Sequence, residues 1–281
     1  MTHARVATLT QIGTITRYNF LNYFRARRFY VMLAIILIIS GLLTGLVAYY
    51  QPAGLLGGDS LGFYGSGWGS FANFVVVLSA AFFGGDAISG EFQNRTGYFL
   101  VPNPIRRVSI YVGKYLAALA ASSIVLGIFA LAIIANVLYY FPSDPLPWGF
   151  VQSVIFAWVY LLAALALTFA FSSLFKSSSI SILMSVILLL FVFNVVDTIA
   201  SIVVGIEPWF SITYGAGIVS NILMFPYPPN VVSSPVTAGT RVFRFSTYNA
   251  TVPEGLAILL VYFVVMAVLG LWLFQNKEFT S

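Results

Sequence analysis

Residues 84–107, GGDAISGEFQNRTGYFLVPNPIRR, form a short charged stretch between two long apolar runs. The stretch holds two of the chain's eight acidic residues and three of its thirteen basic residues. Asp86 can cap a helix start, and Glu91 and Arg95 form an i, i+4 pair in the favourable order. Pro102 ends a helix, and Pro104 is a good first residue for the next one. The sequence therefore predicts a short helix over 88–100, a proline turn and a new helix.

The composition around this stretch is that of a protein embedded in lipid. Of 281 residues, 60% are hydrophobic and 7% are charged, whereas soluble domains carry about 25% charged residues. The chain has no cysteine, and its single histidine, His3, lies near the N-terminus. Disulfides, thiolate metal sites and chemistry that needs a buried histidine base are therefore excluded. We expect no catalytic residue, metal or cofactor in this chain, and no nucleic-acid partner.

Six apolar segments are long enough to cross a hydrocarbon core of about 30 Å as helices. They cover residues 29–50, 70–86, 108–140, 149–174, 179–204 and 254–275. With six crossings, every basic residue except Arg241 and Arg244 falls on one side. The positive-inside rule makes that side cytoplasmic. The sequence predicts an all-α membrane protein with six transmembrane helices, both termini cytoplasmic, in the plasma membrane.

The segments outside these crossings are expected to complete a single transmembrane domain, 1–281. Residues 1–28 mix apolar residues with arginines, which favours an interfacial helix; a solvated tail with a basic anchor is the alternative. The glycine-rich residues 51–69 predict an irregular outer loop. The long outer segment 205–253 is expected to begin with short re-entrant helices and to continue as an exposed, proline-rich stretch. Asn249 opens an Asn-Ala-Thr triplet and is a candidate glycosylation site.

The charged stretch also resembles a family of transporters. DAISGEFQNRTGYFLVPNPIRR, residues 86–107, and YVGKY, residues 111–115, are similar to the ABC-2 type permease family, particularly its six-span, NosY-like members. The matching positions are Asp86, Glu91, Thr96, Leu100, Pro104, Arg106, Gly113 and Lys114. One departure is Thr96-Gly97, where the family more often has glycine before threonine. The order of an N-terminal helix, six spans and a long outer segment before the last span also matches.

The resemblance implies that the predicted helix at 88–100 is a coupling helix, which joins the membrane subunit to a separate ATPase subunit. The chain itself has no G-x-x-x-x-G-K-[ST] phosphate loop, so ATP and Mg would be bound by that partner. A second permease copy, as a homodimer or a homologous permease, and membrane lipids complete the implied assembly. The residues expected to couple to the ATPase are Asp86, Glu91, Phe92, Arg95, Thr96, Phe99, Leu100, Pro104 and Arg106.

Few polar residues lie well inside the predicted crossings. Asn194 and Asp197 share a helical face in the fifth one and are candidates for a substrate path; the alternative is that water reaches them at the outer end. This scarcity favours a lipophilic cargo that is lipid-like, drug-like or a peptide. The leading hypothesis is the permease subunit of an ATP-driven exporter. An ATP-independent channel or secondary carrier, or a non-transporting ABC-type mechanotransmission or assembly factor, remains open.

Overall fold

The computed structural model describes residues 8–94, 106–238 and 241–277, with the backbone alone for 234–245. Its architecture is helical apart from one hairpin of two strands, β1 Val231–Ala238 and β2 Arg241–Tyr248. The α-helices are α1 Thr8–Arg25, α2 Arg27–Tyr50, α3 Ala53–Leu56, α4 Ser60–Tyr64, α5 Ser70–Gly84, α6 Ser89–Gln93, α7 Arg107–Tyr140, α8 Trp148–Leu174, α9 Ser178–Ile187, α10 Phe193–Thr198, α11 Ile212–Ala216, α12 Ile218–Asn221 and α13 Val252–Asn276. Three π-helical stretches, Gly65–Gly69, Leu188–Val192 and Ile199–Val204, continue neighbouring helices.

In the described part of the chain, six helical segments are long and apolar enough to cross a membrane, which confirms the predicted all-α membrane architecture. They are span 1 Arg27–Tyr50, span 2 Ser60–Gln93, span 3 Arg107–Tyr140, span 4 Trp148–Leu174, span 5 Ser178–Val204 and span 6 Val252–Asn276. Spans 2, 3 and 4 bury most of their side chains, whereas spans 1, 5 and 6 leave broad apolar faces exposed. Such faces suit a surface whose solvent is lipid.

Small residues allow the central spans to approach closely. A Cβ atom at Gly84 of span 2 would lie 2.2 Å from the Thr168 hydroxyl of span 4. A Cβ atom at Gly270 of span 6 would lie 3.1 Å from the Ala170 Cα atom. Membrane helices use small residues in this way because close backbone approach gains van der Waals contact.

Helix α1 lies against the first turns of span 3. Gly113 makes this contact possible, since a Cβ atom there would lie 2.7 Å from Ile15 Cγ2. None of the 18 residues of α1 is fully buried. The predicted N-terminal helix is therefore present on the flank of the bundle, and its position is set by span 3.

The expectation of an irregular loop over 51–69 is wrong. The chain forms α3, then α4, and passes through the π-helical stretch Gly65–Gly69 directly into α5. The Asp59 carboxylate accepts the Gly62 N–H at 3.0 Å and caps α4. A Cβ atom at Gly69 would lie 3.2 Å from Leu223 Cδ1. Gly69 thus serves helix packing, and span 2 begins at Ser60.

The outer segment begins as predicted, with two short helices buried in the bundle. In α11 and α12, Ile212, Ile218 and Val219 are fully buried. A Cβ atom at Gly255 in span 6 would lie 2.8 Å from the Gly215 carbonyl oxygen. This close approach of two backbones fixes α11 against the last span.

The rest of the outer segment differs from the expected irregular, proline-rich stretch. Strands β1 and β2 pair antiparallel, with Val231 opposite Tyr248 and Ala238 opposite Arg241. The sequence RVFRFSTY, residues 241–248, has the β-branched and aromatic enrichment that is typical of a strand. Pro235 is tolerated because each strand of a two-stranded sheet has a free edge.

Candidate functional site: the end of span 2

The charged stretch that predicts a coupling helix begins where α5 ends. Gly85 to Ile88 form a turn, and α6 covers Ser89–Gln93. A Cβ atom at Gly85 would lie 3.1 Å from the Ile182 Cα atom of span 5, so glycine permits the chain to turn there. Residues 95–105 lie outside the described residues, so the predicted extension of the helix to 100 stays a prediction. We call residues 86–94 the hub segment.

Span 3 contacts the hub segment through a buried lysine. Lys114 Nζ lies 2.6 Å from Glu91 Oε1 and donates to the Ala87 carbonyl oxygen at 2.9 Å. Lys114 is 7% exposed. A buried ammonium is tolerated when it is paired and hydrogen-bonded, and both partners come from the hub segment. Glu91 therefore fastens the hub segment to span 3.

Span 1 contacts the hub segment, and α1 contacts the end of α5 just before it. Arg28 in span 1 forms an ion pair with Asp86. The Tyr23 hydroxyl in α1 donates to the Phe83 carbonyl oxygen at 2.8 Å. Burial, followed by the negative charge of Asp86, raises the pKa of the Tyr23 phenol above its ordinary value of 10.0. Tyr23 accordingly stays a protonated donor, and the N-terminal helix is tied to the end of α5.

Span 4 supplies the acceptor for the first turn of α6. The Ser172 hydroxyl oxygen accepts the N–H groups of Ile88 and Ser89, each at 2.9 Å. These are backbone donors that the start of a helix leaves without an intrahelical partner. A serine late in an apolar helix carries no sequence signal for such a contact, so Ser172 was missed from the sequence.

Spans 5 and 6 complete the set of contacts. The Gln93 side-chain oxygen accepts the Ser178 N–H, at the start of span 5, at 2.8 Å. Lys277, which follows span 6, places its Nζ 4.2 Å from the centroid of the Phe92 ring, within cation–π distance. The same Nζ donates to the carbonyl oxygens of Ser173 and Phe175, both at 2.8 Å. The hub segment thus forms the end of span 2 and contacts residues of the other five spans or their ends.

The environment of Lys277 is partly apolar. Burial, followed by the positive charge of Lys176, lowers the pKa of Lys277 to about 8. Nearby, Arg107 donates to the Gln275 carbonyl oxygen and so links the start of span 3 to the end of span 6. We call this end of the bundle, which carries Arg28, Lys114 and Lys277, the basic end.

The structure brings together part of the predicted coupling set. Asp86, Glu91 and Phe92 lie in the hub segment, and Lys114 is in contact with it. Arg106 is exposed and stands at the N-cap of α7. The remaining members lie outside the described residues: Arg95, Thr96, Phe99, Leu100 and Pro104. A role of any of these residues in ATPase contact stays a prediction.

The two candidates for a substrate path have separate partners. Asp197 Oδ2 accepts a hydrogen bond of 2.5 Å from the Thr213 hydroxyl, which links span 5 to α11. The Asn194 side-chain amide donates to the Leu190 carbonyl oxygen of its own helix at 2.9 Å. This hydrogen bond satisfies one oxygen of the Asp197 carboxylate, and a substrate path through either residue stays a prediction.

The Asn249 triplet lies at the start of span 6. The Asn249 side-chain amide donates to the Pro229 carbonyl oxygen at 3.0 Å. Thr251 and Glu254 form a capping box for α13. Glycosylation of Asn249 stays a prediction.

Within residues 8–94, 106–238 and 241–277, no group of three or more histidine, cysteine, aspartate or glutamate residues is placed to hold a metal ion. A family model described as "ABC-2 family transporter protein" matches residues 13–279. No curated protein matches the chain.

Proposed function

Because the chain belongs to the ABC-2 transporter family and is thus a membrane component of an ABC system, we propose that it is the permease subunit of an ATP-driven exporter. A separate ATPase subunit binds the basic end, and its ATP hydrolysis drives the spans between inward-open and outward-open arrangements. The cargo is lipophilic: lipid-like, drug-like or a peptide. A second permease copy completes the membrane part.

The contacts of the hub segment carry this proposal. An ATPase that moves during its cycle needs a connection through which displacement at the membrane surface reaches the spans. The hub segment offers one, because it is bonded to Arg28, Lys114, Ser172 and Ser178, which belong to spans 1, 3, 4 and 5. Packed cores and helices transmit displacement since they deform little.

The assignment of ATP binding to another polypeptide is supported by the family and by the sequence. Members of the ABC-2 family are membrane components that lack a nucleotide-binding domain, and the chain has no phosphate loop. ATP and Mg therefore belong to the partner. The concentration of basic residues around the hub segment supports a cytoplasmic position for that end, and for both termini, in the plasma membrane.

The proposal is tested by co-purifying the chain with an ABC ATPase subunit from the same cells. In one variant, residues 88–94 are replaced by glycine and serine; in the control, residues 232–238 of strand β1 are replaced in the same way. We expect the ATPase to co-purify with the wild-type chain and the strand variant, and to be lost from the hub variant, while size-exclusion profiles stay monodisperse. Undiminished ATPase binding and ATP-driven transport by the hub variant would refute the proposal.

A further inference from the structure

Two cavities lie between spans 1 and 3 at the end of the bundle opposite the basic end. A hydrogen bond of 2.9 Å, from Asn136 Nδ2 to the Thr44 hydroxyl oxygen, joins span 1 to span 3 there. Asn136 lines both cavities. This region is distant in the fold from the hub segment and plays no part in the proposed ATPase contact.

The first cavity is apolar and has a volume of about 330 Å³. Span 1 contributes Leu46 and Val47, span 2 contributes Phe63, and span 3 contributes Ile133. This volume lies within the range of about 300–1,000 Å³ that is usual for small-molecule sites. Gly67 also lines the cavity, and its lack of a side chain keeps the space beside Ile133 open. The volume and the apolar lining of the cavity suit an alkyl chain.

The second cavity is larger, about 570 Å³, and more polar. Thr44, Gln51, Tyr139 and Tyr140 line it together with Asn136. Among the side chains that the structure describes, no acidic or basic one lines either cavity. Because a charged group would lose its hydration there without gaining a counter-ion, these cavities select an uncharged polar group.

The hydrogen bonds of Asn136 leave room for a ligand. Its Nδ2 donates to Thr44 and to the Ala132 carbonyl oxygen. Among the described residues, no donor reaches its side-chain oxygen, Oδ1, and Asn136 is the residue that lines both the apolar and the polar cavity. An occupant with a hydroxyl group next to an alkyl chain matches this arrangement.

We propose that the paired cavities bind an amphiphile of the monoacylglycerol class, which enters from the surrounding lipid. Its alkyl chain fills the apolar cavity, and a hydroxyl of its uncharged head donates to Asn136 Oδ1 and faces the polar cavity. Binding needs the membrane-embedded chain alone, so it goes beyond the proposed export function and is tested without the ATPase.

The test uses the full chain in phosphatidylcholine nanodiscs and a monoacylglycerol that carries a photoreactive diazirine in its alkyl chain. We expect saturable labelling of peptides that contain Leu46 or Ile133, displaced by unmodified monoolein. Leu46→Trp fills the apolar cavity and should lower labelling more than fivefold. Leu42→Trp is the matched control, because Leu42 lies one turn away on span 1, is 61% exposed and does not line the cavity.

The head-group assignment is tested by competition. Asn136→Leu removes the proposed hydrogen bond to the head group, along with the bonds to Thr44 and Ala132, and should weaken displacement by monoolein about three- to tenfold. Alkyl phosphate and alkyl trimethylammonium of equal chain length should compete at least tenfold less well than monoolein. Unsaturable labelling spread over all exposed spans, equal labelling of the two tryptophan variants, or better competition by a charged amphiphile would overturn the proposal.

Discussion

Lys114 is the residue on which the position of the hub segment depends most. Its ammonium is buried and has two partners, Glu91 and the Ala87 carbonyl oxygen. Removing one partner of a buried ion pair costs more than removing both, because the remaining charge loses its compensation. The energetic role of Glu91 in this chain is therefore to neutralise Lys114.

We expect Glu91→Ala to lower the free energy of unfolding by about 2–3 kcal/mol. Breaking a fully buried ion pair costs ~3–5 kcal/mol. The expected loss is smaller here because the Glu91 side chain is 23% exposed. The double variant Glu91→Ala, Lys114→Met should recover at least half of that loss. Denaturant unfolding in detergent, followed by tryptophan fluorescence, measures both. Additive losses in the double variant would show that the two residues are not coupled.

Lys277 gives the basic end a dependence on pH. Its pKa is about 8 in the folded chain, against an ordinary value of 10.5. Between these two values the unfolded chain binds more protons than the folded one, so this group makes stability rise with pH across that window. Over the same window the folded chain loses the cation–π contact with Phe92.

The measurement is the thermal midpoint of the wild type minus that of Lys277→Met, from pH 7 to pH 10. We expect this difference to increase with pH above about pH 8. Subtracting the variant removes the titration of the other groups. A difference that is constant, or that falls with pH, would contradict the assigned environment of Lys277.

The sequence predicted some of these residues and not others. Asp86, Glu91 and Lys114 stood out because charges are rare in a chain that is 7% charged. The pairing of Glu91 with Lys114 was not anticipated, since local helical spacing pointed to Arg95. Ser172 carries no charge and makes its contact across 83 residues, so its role depends on tertiary structure alone.

At the scale of elements, the hub segment joins the end of span 2 to span 4. The two N–H groups that begin α6 are satisfied by one hydroxyl of α8. The neighbouring residue, Ser173, is also buried, and its hydroxyl has no hydrogen-bond partner among the described residues. These adjacent serines provide a variant and a matched control.

Ser172→Ala leaves two buried N–H groups without an acceptor, which costs about 1–3 kcal/mol for each such group. We expect amide hydrogen exchange at Ile88 and Ser89 to accelerate at least tenfold. Ser173→Ala should leave these exchange rates unchanged, because its hydroxyl makes no hydrogen bond among the described residues. Equal exchange in both variants would mean that Ser172 does not anchor the hub segment.

The elements differ in how far the sequence predicts them. The six spans follow from continuous apolar composition, because only complete internal hydrogen bonding is stable in lipid. The start of span 2 was placed too late, since its glycines were taken as loop signals although Gly65 and Gly69 lie against Leu223. The hairpin of β1 and β2 was missed because the prolines of that segment outweighed its alternating pattern.

At the scale of the whole molecule, the two ends of the bundle are chemically distinct. The basic end concentrates ion pairs and cation contacts around a segment that touches every span or its end. The opposite end carries the hairpin and the two uncharged cavities. This division is consistent with the two proposals, in which an ATPase subunit binds the basic end and lipophilic molecules bind at the opposite end.

The chain lacks cysteine, so one introduced cysteine tests the central claim directly. Asn94 is exposed at the end of the hub segment, and Ser233 is exposed on strand β1. Each is changed to cysteine and carries a short photoreactive crosslinker in membranes that contain the ABC ATPase subunit. The account predicts that the crosslinker on Asn94→Cys captures the ATPase subunit and that the crosslinker on Ser233→Cys does not. Capture by Ser233→Cys would contradict the account. Failure of both variants to capture the subunit, in a complex that hydrolyses ATP, would contradict it as well.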